Sequence, residues 1–350
     1  MREILLLLNK YFYSKPTELR KILEGFQKIE DTLEAPKDAF FKLGIQGKAF
    51  DEFIKSRSEE ILKLKFPEDI NVVTILDNNY PEKLKNIYDA PPIFFYKGDI
   101  SCFNKKCLAV VGSRKMSSYG QRAVSRIVKD LCRDFTIISG LAYGVDGFSH
   151  QITVDNNEKT VAILGSGLQK IYPSANVGLA EKIIFCGGAI ISEYPPNADP
   201  QKFHFPMRNR IIAGLSDGIL IIEGGKKSGT LITAKLGVDF GADIFAIPNG
   251  IFEPNSEGVN YLIKCGAHLV TDAKDILEFY GVESNIQKTE FKPTNDWQKN
   301  ILEVLINGPK TVDEIAGLTR IGLTDLMGEL IDLELLEAIK VIEGKKYIKI

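Results

Sequence analysis

Between Lys106 and Phe279, short apolar runs rich in Val and Ile alternate with helical patterns, and that alternation restricts the fold more than any other feature. The runs are Cys107–Val111, Phe135–Ser139, Thr160–Leu164, Ala189–Ser192, Gly218–Ile222 and Ile244–Ile247. They are nearly continuous in apolar character, as expected of strands covered on both faces in a parallel sheet. Amphipathic helical patterns lie between them, near Gly120–Asp134, Val145–Asn156, Val177–Cys186, Arg208–Ala213 and Thr230–Gly241. A short strand at His268–Val270 and a helix at Ala273–Phe279 close the series. Repeated βα units predict an α/β fold, an extended Rossmann-like, doubly wound and mostly parallel sheet.

The flanks differ from this core. In residues 1–66, apolar side chains recur at helical spacing in Ile4–Tyr13, Leu19–Phe26, Phe40–Leu43 and Phe50–Leu64, which predicts a small all-α domain. Residues 67–280 form the core domain, with turn chemistry at Tyr80-Pro81 and Pro91-Pro92 and short strands at Val72–Leu76 and Ile93–Tyr96 leading into it. Residues 281–296 are polar and read as a linker. From 297 to 350 the pattern is a helix over Gln298–Ile306, a Gly308-Pro309 break, and a helix capped by Thr311 with Glu314 completing a capping box. A third helix near Thr324–Leu336 and a hairpin turning at Glu343-Gly344 complete a winged helix-turn-helix pattern.

In an open α/β sheet, ligands bind beyond the carboxyl ends of the strands. The residues placed there are Gly112-Ser113-Arg114, the Gly140–Gly144 turn, Gly165-Ser166-Gly167 with Lys170, Glu193-Tyr194-Pro195-Pro196, and Glu223 through Lys227-Ser228-Gly229-Thr230. Glycine makes tight βα turns on its own account. Several such turns on one edge, one with Arg and one with Lys-Lys-Ser-Gly-Thr, point instead to anion binding by backbone amides. Two nucleotide motifs fail. Gly165 to Lys170 carries Lys where a dinucleotide fingerprint needs its third Gly, and Gly229 stands where a P-loop Lys would precede Thr230. Lys202 lies beside Phe203, His204 and Phe205, and cations mixed with rings make a single-strand platform, although either Phe could equally be core.

Charge has to be read by segment. The whole chain carries −2, which would not suggest a nucleic-acid partner. Yet residues 101–135 hold eight cations against two anions, residues 201–240 hold six against three, and the tail from Trp297 holds seven against nine. A phosphate groove in the core is compatible with that distribution, and a winged tail gripping duplex phosphates is not. Five scattered cysteines without a CxxC pair suggest reduced thiols in a cytoplasmic protein. With three histidines and no zinc spacing, neither a metal nor another cofactor is expected. No apolar run is long enough to span a membrane, and Ile4–Leu8 is too short for a signal-peptide core. His150 lies on a helix without a paired carboxylate in sequence, and Asp146 and Glu193 make only a weak candidate acid pair, so no catalytic set is expected.

These residues together resemble the DprA/Smf DNA-processing family. The carrying motifs are Val111-Gly112-Ser113-Arg114, Ser139–Asp146 followed by His150, Gly165–Pro173, Ser192–Pro196, Phe203–Ser216, Glu223 to Thr230, and Gly258–Ile263 before Gly266-Ala267. Within them, Phe205-Pro206-Met207-Arg208-Asn209-Arg210 is close to diagnostic. The resemblance covers about 100–270 and implies a Rossmann core that binds single-stranded DNA, loads the RecA recombinase onto incoming strands in natural transformation, and forms a homodimer through Ile263 and Leu269. It also implies a sterile-alpha-motif-like domain in front and a winged helix behind. The implied DNA-pocket arginine is Arg114, with basic and stacking positions at Lys202 and Phe205. The full strand-binding set is Gly112, Ser113, Arg114, Gly140, Gly144, Gly167, Lys170, Lys202, Phe203, Phe205, Arg208, Asn209, Lys227, Ser228, Gly229 and Thr230. The N-terminal part lacks a Gly-Ile-Gly helix–hairpin–helix signature.

Two other functions fit less well. A nucleotide-phosphate hydrolase of the lonely-guy-like Rossmann group would need a Pro-Gly-Gly-x-Gly-Thr-x-x-Glu loop, and here Glu223 replaces the Pro and two extra residues intervene. A transcriptional regulator would need a winged helix that reads duplex DNA, against which the acidic tail argues.

Overall fold

The computed structural model describes residues 1–13, 15–60, 67–226, 228–282, 293–336, 338–342 and 344–349. The chain forms two compact units, Met1–Ser284 and Asn285–Ile350.

The first unit opens with helices α1 (Arg2–Phe12), α2 (Pro16–Gly25), α3 (Lys37–Lys42) and α4 (Lys48–Glu60), with a 3-10 turn at Ile29–Leu33. Ile4, Leu7, Leu8, Phe12, Leu19, Ile22, Phe40, Phe50 and Phe53 close a core of their own. Leu5 faces the other way and packs with Ile70, Phe95 and Leu164 of the sheet domain, so the helical segment and the sheet form one body.

The sheet begins with β1 (Asn71–Thr74), α5 (Glu82–Lys85) and β2 (Ile93–Gly98). Then come β3 (Cys107–Val111), α6 (Ser118–Leu131), β4 (Thr136–Ser139), α7 (Val145–Asp155), β5 (Thr160–Ile163), α8 (Val177–Phe185) and β6 (Ala189–Ser192). The second half is α9 (His204–Leu215), β7 (Gly218–Ile221), α10 (Gly229–Asp239), β8 (Asp243–Ala246), α11 (Glu257–Lys264), β9 (His268–Leu269) and α12 (Ala273–Phe279). The nine strands lie in the order β1-β2-β6-β5-β4-β3-β7-β8-β9. β1, β2 and β6 pair antiparallel, and the rest pair parallel. Every residue of β3 to β7 is buried, which is why these strands read as unbroken apolar runs rather than alternating ones.

One helix departs from its sequence boundary. α9 starts at His204, not near Arg208, so Phe205 sits on a first helical turn rather than in a loop. Pro206 is the third helical residue, where its missing N–H costs no intrahelical bond.

The second unit comprises α13 (Asp296–Ile306), β10 (Lys310–Thr311), α14 (Val312–Thr319), α15 (Leu323–Leu335), β11 (Ile339–Ile342) and β12 (Lys346–Lys349), with the strands ordered β10-β12-β11. The Thr311–Glu314 capping box is formed in both directions, with Glu314 N to Thr311 Oγ1 at 3.3 Å and Thr311 N to Glu314 Oε2 at 2.7 Å. Ile301, Leu305, Ile315, Leu326, Leu330 and Leu333 fill its interior. Most of the expected linker, and Glu343 of the expected turn, lie outside the described residues.

Candidate nucleic-acid interface

Sheet order decides where a ligand can sit. From β3 the chain builds β4, β5 and β6 outward on one side, then returns to lay β7, β8 and β9 on the other. The carboxyl ends of β3 and β7 therefore flank the crevice where crossovers diverge. The loop leaving β3 carries Gly112, Ser113 and Arg114; the loop leaving β7 carries Glu223 to Thr230.

The β3 loop is pressed against the start of α7. Gly144 has φ of +77°, and a Cβ on it would lie 2.2 Å from the Ser113 carbonyl oxygen. A Cβ on Gly112 would lie 2.5 Å from Val145, whose own N–H donates to Ser113 O at 3.2 Å. These two glycines set the height of the loop, and Arg114 emerges from it exposed. Its guanidinium lies over the Phe205 ring, 5.3 Å from the centroid. Phe205 is half-buried, fits against Gly165, and has Tyr172 5.7 Å away, centroid to centroid. Phe203 is 54% exposed. That resolves the choice the sequence leaves open: neither ring is core. Lys202 is exposed beside them, and Lys170 is exposed with its Nζ 3.9 Å from Asp199.

Other expected contacts turn out to support the edge from beneath. Arg208 is only 3% exposed. Its Nη1 donates to Gly140 O at 2.7 Å and to Ile163 O, and its Nε donates to Asn209 Oδ1 at 3.2 Å. Burial pulls this guanidinium down to about 10, with Asp146 opposing, and it remains a cation at neutral pH. Direct phosphate contact by Arg208 is therefore corrected: its donors tie β4 to β5. The amide of Gly140 is likewise taken, donating to Asp146 Oδ2 at 3.2 Å, and that of Gly167 donates to Ala198 O at 2.8 Å. Neither amide is free for a phosphate, and both glycines serve close packing, against Arg208 and against the Pro195 and Pro196 carbonyls respectively. Thr230 is buried, while Ser228 and Gly229 open α10 with Gly229 exposed, and a Cβ added to it would lie 4.0 Å from the Asn209 Nδ2. Lys227 lies outside the described residues.

The acid–base candidates are all engaged. Asp146 faces Gly140 and Arg208, whereas Glu193 pairs with Arg210, so they do not form one acid pair. His150 is fully buried with Nδ1 2.7 Å from Thr160 Oγ1, and burial pushes its pKa down to about 3. Glu223, also fully buried, accepts from Ser117 N at 2.9 Å and Ser117 Oγ at 2.7 Å, bracing α6 against the β7 loop. Two rings near this edge are absent from the expected strand-binding set. Tyr172 lies within the Gly165–Pro173 motif, and the structure sets its ring beside Phe205. Tyr13, from the N-terminal helices, packs edge-on to Tyr194 at 6.1 Å and lies 6.4 Å from His204, under the same rim.

Among the described residues, no helix is long and apolar enough to cross a membrane. A family model described as DNA recombination-mediator protein A matches residues 71–281. The chain is 41% identical over 225 residues, 64% of its length and 75% of the relative's, to DNA processing protein DprA of Bacillus subtilis. Its fold is similar to the crystal structure of DNA processing protein A from Streptococcus pneumoniae, with TM-score 0.65, 35% identity, and coverage of 79% of this chain and 97% of that one. It is also similar to DNA processing protein A from Helicobacter pylori, whose structure describes a single-stranded DNA binding mode, with TM-score 0.55, 25% identity, and coverage of 60% and 95%. The chain therefore belongs to the DNA recombination-mediator protein A family, the DprA/Smf DNA-processing proteins.

Proposed function

We propose that this chain binds single-stranded DNA along the carboxyl edge of its sheet and hands it to the RecA recombinase, acting as a homodimer in natural transformation. The observation that carries the reading is the exposed Arg114 guanidinium stacked over Phe205 at 5.3 Å, with Phe203 and Lys202 exposed on the same rim. A cation for phosphate beside rings for bases is the chemistry of sequence-tolerant single-strand binding. The relative from Helicobacter pylori, which is described as binding single-stranded DNA, supports it. RecA delivery and transformation rest on the family resemblance, and the acidic tail supports a strand grip located in the core.

Arg114→Ala is expected to weaken binding of labelled oligo-dT about tenfold or more, since a hydrogen bond to a charged group such as phosphate is worth roughly 1.5–3 kcal/mol. It should also flatten the slope of log affinity against log salt by roughly 0.7, the release of one single-strand counterion. Stimulation of RecA filament nucleation on the same oligomer should fall in parallel. Unchanged affinity and slope would remove Arg114 from the site.

Self-association fits the far edge of the sheet. β9 is an edge strand, and its Leu269 is 50% exposed, while Ile263 on α11 leans on the core. An exposed apolar edge strand is an open template for pairing. Leu269→Arg should convert a dimer to a monomer by light scattering while leaving the melting temperature of the chain nearly unchanged. A monomeric wild type would end the proposal.

A further inference from the structure

We infer that the outer face of α15 is a docking surface for a basic amphipathic helix of a partner protein. In the helix-turn-helix arrangement this second unit resembles, α15 occupies the place of the helix that would enter a DNA groove. Its chemistry is wrong for that task. Over Leu323–Leu335 it has Asp325, Glu329, Asp332 and Glu334 and not one cation. Leu326, Leu330 and Leu333 turn inward and are buried. Leu323, Met327 and Ile331, at i, i+4 and i+8, form a second apolar stripe, and each is at least 42% exposed. Leu318 on α14 adds to the exposed apolar surface of this unit. Side chains at this spacing share one helix face, so the three side chains offer a single continuous ridge.

Two local features run against the stability of the helix taken alone. Asp332 and Glu334 stand in its last turn, where the helix dipole disfavours anions, and no basic residue compensates them there. Gly328 interrupts an exposed helix interior, where glycine is unfavourable, and a Cβ on it would meet nothing within 4 Å. A cationic helix laid along the ridge answers the first directly, placing a cation at Glu334 in line with Leu323, Met327 and Ile331, and its added contacts offset the second. Charge selects among occupants. Duplex DNA and an anionic membrane surface would be repelled by the four carboxylates, and so would a second copy presenting the same four. A partner helix with an apolar stripe and Lys or Arg beside it is the complement.

The test uses the full chain and a fluorescein-labelled peptide of about 18 residues, long enough to hold a helix. The peptide has leucines at i, i+3, i+4 and i+7 and lysines elsewhere; its counterpart has glutamates in place of lysines. Fluorescence anisotropy is expected to show binding of the lysine peptide only. Affinity should fall roughly tenfold or more in Ile331→Asp, as for loss of an interface anchor, and comparably in Glu334→Lys, which stands three residues on from Ile331 on the same helix face. Both positions are exposed, so the fold tolerates these changes, and oligo-dT binding should be unaltered in each variant. Equal binding of both peptides, no binding of the lysine peptide, or affinity insensitive to Ile331→Asp would overturn the assignment. A drop in molecular mass of the chain with Ile331→Asp would give this face to a second copy, and loss of duplex binding with that variant would give it to DNA.

Discussion

Replacing Arg210 by Ala should lower the stability of the first unit by about 3–5 kcal/mol, the cost of stranding a buried charge. That corresponds to a fall in melting temperature of roughly 10 °C for a body of this size. Arg210 is 3% exposed on α9. Its Nη2 contacts the buried Glu193 just after β6, and its Nε lies 3.1 Å from Asp89 in the segment leading into β2. Three stretches distant in sequence therefore converge on one guanidinium. Burial alone would lower its pKa, but the two carboxylates outweigh that and hold it above the ordinary arginine value. Burial likewise pushes the Glu193 carboxyl up, and Arg210 is what pulls it back. Without the arginine, Glu193 is accommodated best when neutral. Its raised folded pKa then adds stability below the unfolded carboxyl range, and that stability is lost as pH rises through the folded pKa. The deficit of Arg210→Ala should thus be largest near neutral pH and shrink toward about pH 4–5, the unfolded carboxyl range. Thermal melts of wild type and variant across that range measure it. A variant melting within about a degree of wild type at neutral pH would show that the triad does not hold these segments together.

That triad also marks the limit of what the sequence shows. Cys107–Val111 and Ala189–Ser192 appear in the structure with the bounds their apolar runs suggest, because a strand buried on both faces leaves a one-dimensional signature. Arg114, Arg208 and Arg210 have no such distinguishing mark. Each is an arginine near a glycine- or aromatic-rich turn, yet one is exposed over a ring, one donates to carbonyls and one sits between carboxylates. The difference lies in partners 17 to 121 residues away, which no local pattern encodes. The glycines mislead for a related reason. A turn that cradles phosphate and a turn that admits a neighbouring chain have the same composition, and only the fate of the amide separates them: Gly140 and Gly167 have theirs occupied. Tyr172 is legible as part of a motif but not as a ring beside Phe205, because Phe205 is brought to it by α9, which begins one turn earlier than the expected Arg208.

Gly144→Ala is the substitution expected to cost the most strand binding through backbone strain alone. At φ +77° and ψ −131°, Gly144 occupies backbone space that residues with a Cβ rarely enter. An added Cβ would meet the Ser113 carbonyl oxygen at 2.2 Å and the Arg114 carbonyl carbon at 2.8 Å. Both obstacles are backbone, so no rotamer change relieves them, and either the β3 loop or the start of α7 must move. Such strain costs about 1–3 kcal/mol, well within what a core with β3 to β7 fully buried can absorb. The loop that moves is the one presenting Arg114 to Phe205. Affinity for oligo-dT should therefore fall at least as far as in Arg114→Ala, with the melt lowered but still cooperative. The double variant supplies the stricter check. If Gly144 acts by placing Arg114, adding Arg114→Ala to Gly144→Ala should cost almost nothing more, a coupling energy close to the whole effect of Arg114→Ala. Additive losses would mean that Gly144 supports binding by another route, and wild-type affinity in the single variant would detach the β3 loop from the site altogether.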